Sequence, residues 1–200
     1  MREPFRKFVT QEVKDGFLLI ACGQLATCKT RATGEIQKIK SGKLLRTDII
    51  RLEVLKNQDI FDHKVGGDMA KRTQVYDVMF EMADEAFKNN KNVILDATFV
   101  TQKLRQQAAA IAVKNNVPLV ILQTNCPQEV SIKRILARDK EKYESNALTE
   151  EAYLSNKEKF EAVDLEALKK DNPSVRLVHL VVDTASNPPE DWFITHYEKR

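Results

Sequence analysis

The sequence predicts a three-layer α/β/α fold with a mostly parallel sheet of about five strands. Three observations carry that expectation. Short apolar runs recur along the chain without polar alternation, as strands buried on both faces require. Segments with helical spacing separate them, which favours parallel strands joined by right-handed crossovers. The first apolar run leads through Gly23 into Lys29-Thr30, at the start of the next helical segment.

Taken in order, Phe17–Cys22 is a continuous apolar run of strand length, and Lys43–Arg46 is a weaker candidate. Tyr76, Met79, Ala83, Ala86 and Phe87 then keep helical spacing. Val93–Leu95 reads as a strand, ended by Asp96, and Leu104, Ala108, Ile111 and Ala112 as the helix after it. Val117–Leu122 is another strand, and Pro127 opens a helix running through Ile135 and Ala137. The polar stretch Asp139–Ser145 has little to bury and is expected to form a helical lid's mobile part. Val175–Val182 is the last strand, ended by Asp183-Thr184, and Trp192 is expected to pack the final segment down.

Two hundred residues predict one domain spanning 1–200, with its core over about 16–193. Hydrophobic content of 42% with 30% charged residues is that of a water-soluble globular chain. No apolar run approaches the roughly 18 residues that read as a membrane span. The start, M-R-E-P-F-R-K-F, lacks the apolar core of a secretory signal, and three sparse cysteines point to a reduced, cytoplasmic protein. His63, His179 and His196 have no metal-ligand spacing. A net charge of +3 neither requires nor excludes a nucleic-acid partner.

Ligands in such folds bind beyond the carboxyl ends of the strands, so chemistry should follow each apolar run. The stretch G-Q-L-A-T-C-K-T, Gly23 to Thr30, has the layout of a phosphate-binding P-loop, except that Cys28 stands where the pattern wants glycine. Gly23 permits the turn, and backbone N–H groups of Gln24, Leu25, Ala26, Thr27 and Cys28 could wrap a phosphate at the positive end of the following helix. Lys29 would reach the β- and γ-phosphates, and the Thr30 hydroxyl would ligate Mg²⁺. Asp48 is either a general base at a strand end or a helix N-cap, and Arg51, one turn on, either holds substrate or is solvated. Asp96 either supports Mg²⁺ or ends a strand in a turn, and Arg105 either reaches the phosphates or lies on the surface. Arg134 and Arg138 share one helical face and either close over a triphosphate beside the lid or form a solvated face. Cys28, beside Lys29 at a helix N-terminus, is either a low-pKa reactive thiol or a quiet small residue.

As a set, L-L-I-A-C-G-Q-L-A-T-C-K-T, L-L-R-T-D-I-I-R, V-I-L-D-A-T-F followed by Arg105, R-I-L-A-R, F-E-A-V-D-L and V-V-D-T resemble the P-loop kinase-like ATPases of the zeta-toxin and polynucleotide-kinase type. The resemblance is closest to a small bacterial kinase group that also occurs fused to aminoglycoside-phosphotransferase-like domains, and it spans Phe17 to about Phe193. It implies an ATP–Mg²⁺-dependent phosphotransferase acting on a hydroxyl of a small-molecule or nucleic-acid acceptor. It also implies that Lys29 and Thr30 hold the phosphates and Mg²⁺, that Asp48 is the general base with Arg51 beside it, that Asp96 supports metal or substrate, and that Arg134 and Arg138 are lid arginines. Family members carry glycine at the position of Cys28. The alternative is therefore a nucleotide-binding protein whose catalysis is impaired or lost.

Overall fold

The computed structural model describes residues 1–56, 68–138 and 148–200. The expected lid, Asp139–Ser145, and most of the Asp59–Lys71 segment lie outside the described residues. In chain order the strands are β1 (Glu3–Pro4), β2 (Leu18–Cys22), β3 (Lys43–Arg46), β4 (Val93–Asp96), β5 (Leu119–Asn125), β6 (Leu177–Asp183) and β7 (Phe193–Lys199). The helices are α1 (Phe5–Glu12), α2 (Lys29–Lys40), α3 (Thr47–Val54), α4 (Met69–Ala86), α5 (Gln102–Lys114), α6 (Gln128–Leu136), α7 (Glu150–Lys159) and α8 (Leu165–Asp171).

All seven strands form one sheet in the order β1-β7-β6-β5-β2-β4-β3. The five strands from β6 to β3 are parallel, as their apolar runs require, while β7 and β1 extend one edge antiparallel. The sheet thus has seven strands rather than about five. The two extra strands have no long apolar run: β1 is two residues long and exposed, and β7 reads F-I-T-H-Y-E-K, with Ile194 its one buried residue. Strands that bury so little leave no continuous hydrophobic signal. Strand ends also shift slightly. β5 starts at Leu119 rather than Val117, because Pro118 has no N–H for the ladder and serves only as acceptor for Leu18 N at 3.0 Å.

Central β2 has five buried residues out of five. Alternate side chains divide it between two cores. Leu18, Ile20 and Cys22 pack with α4, α5 and α8 on one face. Phe17 and Leu19 pack with Phe5, Phe8 and Val9 of α1 and with Ala32 and Ile36 of α2 on the other. Helices α4, α5, α7 and α8 start at side-chain caps: Asp68, Thr101, Thr149 and Asp164 each accept a first-turn amide.

The last segment is tied down by Trp192. Its ring is fully buried, meets Phe5 edge-on at 5.8 Å, and donates from Nε1 to Ser186 O at 2.8 Å. Phe5 N in turn donates to Trp192 O at 2.9 Å. Trp192→Ala would remove a large core side chain and the shorter of the two hydrogen bonds to the Ser186 carbonyl, the other coming from Arg134 Nη2 at 3.2 Å. We expect a loss of about 3–5 kcal/mol in urea unfolding; a loss below 1 kcal/mol would show that the C-terminal segment is not part of the cooperative core.

Candidate functional site

The carboxyl ends of β2, β3, β4, β5 and β6 lie along one edge of the sheet, and the loop from Gly23 to Thr30 rises from the middle of it. Gly23 has φ +141°, and a Cβ there would sit 2.5 Å from Thr124 O and 2.8 Å from Thr124 Oγ1. Only glycine lets the chain turn this close to β5. Threonines then hold the loop. Thr27 Oγ1 donates to Gln24 O at 2.8 Å and lies 2.6 Å from Thr124 Oγ1. The Thr184 hydroxyl, just after β6, lies 3.0 Å from Thr27 O and 3.1 Å from Asn125 O. The loop is therefore fastened to β5 and to the end of β6 before any ligand arrives.

Lys29 is the first residue of α2, and its ammonium turns back over the loop, donating to Gln24 O at 2.5 Å and Gly23 O at 3.2 Å. Burial lowers its pKa to about 8, although the nearby Asp96 carboxylate pulls the other way. Thr30 is next, and its side chain lies near the Asp96 carboxylate at the tip of β4. Burial pushes Asp96 upward, opposed by Thr30 and by the Lys29 and Arg46 cations. Asp48 lies in the first turn of α3, so it is not the N-cap; Arg46 takes that position. Arg51 Nη1 donates to Asp48 Oδ1 at 2.8 Å across one turn. Asp48 is close enough to act electrostatically on both Lys29 and Asp96. Lys29, Thr30, Asp48 and Asp96 thus converge, and Arg51 arrives with Asp48.

Cys28 precedes α2 with φ 60° and ψ 27°, the left-handed conformation, and Ala26 has φ 57°. A non-glycine residue pays about 1–2 kcal/mol there, so the loop keeps a glycine-type shape against its own sequence. The Cys28 side chain makes no capping bond and packs against the core on the α1–α2 face. Burial pushes its thiol pKa up, against the opposing charges of Arg134, Arg31 and Lys29. The reactive-thiolate reading is therefore corrected: desolvation outweighs the helix end and the cations.

The arginines divide. Arg138 lies near enough to Lys29 to disfavour its charge. Arg134 is held elsewhere. Its Nη2 donates to Thr184 O at 2.9 Å, Ala185 O at 3.0 Å, Ser186 O at 3.2 Å and Asn187 Oδ1 at 3.2 Å, and its Nη1 reaches Ala26 O at 3.4 Å. It ties the loop after β6 to the Gly23–Thr30 loop, a different task from closing over a phosphate. Arg105 is a clearer correction. It is fully buried, and its five N–H groups go to Phe99 O, Gln102 Oε1, Ala162 O, Val100 O and Glu161 O. Its guanidinium also lies 5.3 Å from the Phe160 ring centre. A guanidinium with every donor engaged has none left for a phosphate, so Arg105 anchors the Phe160–Ala162 strap instead of binding substrate.

Residues 18–163, well over half of the chain, match the family model described as an AAA domain, AAA_33. The chain belongs to that family. Its structure is similar to a gluconokinase from Sinorhizobium meliloti 1021, at 12% identity and TM-score 0.57, over 87% of this chain and 85% of that one. It is similar to a sugar kinase from Janibacter sp. HTCC2649, at 15% identity and TM-score 0.60, over 88% and 89%. It is also similar to Chaetomium thermophilum Kti12, solved in complex with ADP-AlF3, at 17% identity and TM-score 0.54, over 81% and 88%. No curated protein matches the chain significantly. This AAA domain thus has the P-loop kinase-like fold, and among its described residues no helix is long and apolar enough to cross a membrane.

Two parts of the site of this AAA domain have no strong sequence signal. Thr124 is an ordinary polar residue near the end of β5, and only the close approach of Gly23 gives it meaning. Arg46 ends the weak strand β3 and pairs in register with Asp96. Position along a strand end was the available clue for both. Replacing Cys28 by glycine relieves the left-handed strain, partly offset by the freedom glycine gains when unfolded. Cys28→Gly should gain about 0.5–1 kcal/mol in chemical denaturation; a loss would mean that the thiol's packing outweighs the strain. Lys29 supplies a pH test on the nucleotide-free protein. Burial disfavours its ammonium, so the neutral, nucleophilic amine forms early. Acylation of Lys29 should rise with a midpoint near pH 8, about two units below an ordinary lysine; a midpoint above 10 would contradict the buried placement.

Proposed function

We propose that this AAA domain binds ATP with Mg²⁺ and transfers the γ-phosphoryl group to an acceptor hydroxyl, as a kinase of the zeta-toxin and polynucleotide-kinase type. The observation that carries this reading is the convergence of Lys29 and Thr30, at the start of α2, on Asp96 and Asp48 at the ends of two neighbouring elements. An amide-lined loop and a helix N-terminus favour phosphate oxygens. The Lys29 ammonium, bonded to the Gln24 and Gly23 carbonyls, can exchange them for β- and γ-phosphate oxygens, which favour its charged form.

The donors suit a hard dication. Thr30 Oγ1 and the Asp96 carboxylate are adjacent oxygens. Among the described residues no group of three His, Cys, Asp or Glu side chains could hold a metal, so Mg²⁺ would take its other ligands from phosphate and water. Bound there, Mg²⁺ neutralises charge that develops on the phosphates. Asp48 accepts the proton of the attacking hydroxyl, with its carboxylate oriented by Arg51 at 2.8 Å. Arg138 adds positive charge near the phosphates. The gluconokinase and sugar-kinase likenesses favour a small polyol acceptor over a nucleic acid.

The second reading, binding with lapsed catalysis, draws on the strained Cys28. Calorimetry with ATP and Mg²⁺, together with γ-phosphate transfer to a panel of sugars, nucleosides and oligonucleotides, separates the two. We expect the native chain to bind and to turn over, and Lys29→Ala to lose both. Asp48→Asn should keep ATP affinity and slow transfer by about 10²–10⁴-fold. Binding with no transfer above the Lys29→Ala background, across the whole panel, would replace the kinase reading with the second one.

A further inference from the structure

Arg46 is the last residue of β3 and sits directly across from Asp96, the last residue of β4. Strand alternation puts both on the α2 face, where Leu44 and Ile94 precede them and pack with Ala32 and Ile36 of α2. The Arg46 Nε lies 3.4 Å from Asp96 Oδ2, within ion-pair range. Yet that Nε is buried and has no hydrogen-bond partner. The guanidinium is therefore held beside the carboxylate by charge and not docked on it by directed bonds, unlike Arg51 on Asp48 at 2.8 Å. Asp96 is almost fully buried, so it has little room for two cations.

We propose that Arg46 is the resident counter-ion of Asp96 and that it competes with a divalent cation for that carboxylate. This rests on the reading that Thr30 and Asp96 hold Mg²⁺. Arg46 is then a positioning residue. It holds the buried carboxylate in place across the strand pair, and it limits how tightly the dication binds. Two positive groups around one buried carboxylate repel each other with little solvent screening. Loading the site requires the guanidinium to give up part of its hold, which its lack of a directed bond makes easy.

The test measures Mn²⁺ binding to the ADP complex by electron paramagnetic resonance, and so does not depend on turnover. Arg46→Gln should bind Mn²⁺ about tenfold tighter than the native chain. Arg46→Lys, which keeps the charge, should stay within about twofold of native. A second measurement uses the native protein alone: Mg²⁺ added to the ADP complex should shift the ¹⁵N resonance of Arg46 Nε and speed exchange of its proton, leaving Arg105 Nε unmoved. Equal or weaker Mn²⁺ binding in Arg46→Gln, or an Arg46 resonance indifferent to Mg²⁺, overturns the inference. Tighter Mn²⁺ binding without phosphotransfer would uphold Arg46 and sink the kinase reading. Mn²⁺ binding to none of the proteins would overturn Arg46 and the cation site together.

Discussion

The site is built on one close approach. Gly23 passes so near Thr124 that a single added carbon would overlap the β5 backbone. Because the chain can turn there, Thr27 meets Thr124, Thr184 reaches Thr27, and α2 starts with Lys29 and Thr30 beside β4. Polar side chains buried in such a turn are stable only when fully bonded. Thr27, Thr124 and Thr184 meet that requirement without a ligand, whereas Gln24 Oε1 in the same loop is buried without a partner.

Arginine serves two purposes in this chain, and burial of its donors separates them. Arg105 and Arg134 spend their N–H groups on backbone carbonyls and act as brackets between segments distant in sequence. A planar guanidinium suits that task because it offers five donors in a fixed fork. Arg51 and Arg46 instead face carboxylates, Asp48 in the first turn of α3 and Asp96 at the tip of β4. The F-E-A-V-D-L stretch gains its meaning from the first purpose, since Glu161 and Ala162 carbonyls are what Arg105 grips.

Cys28 shows how a fold tolerates a local violation. The left-handed turn is demanded by the loop around it, and the surrounding bonds outweigh about 1–2 kcal/mol of strain. The side chain finds a place in the α1–α2 core, where burial also suppresses the reactivity that its neighbours would promote. One residue therefore carries a cost in backbone energy and a gain in packing, and neither is visible from its identity alone.

Apolar runs at Phe17–Cys22, Val93–Leu95 and Val175–Val182 made the parallel sheet legible in the sequence, because a strand covered on both faces must be apolar throughout. The positions of Gly23, Lys29-Thr30 and Asp96 at or just after strand ends were legible for a similar reason, since each follows an apolar run. The antiparallel edge was not, since β7 buries only Ile194 and β1 is too short to show a pattern. Nor could the sequence separate one arginine from another. Arg105, Arg134, Arg138 and Arg46 look alike as letters, and their roles differ only by which carbonyls and carboxylates surround them. The sequence by itself determined the layers, the loop and the residues available to it. Tertiary structure alone decided which charges are consumed in holding the chain together and which remain at the strand ends, because a guanidinium's bonds depend on neighbours that local pattern does not encode.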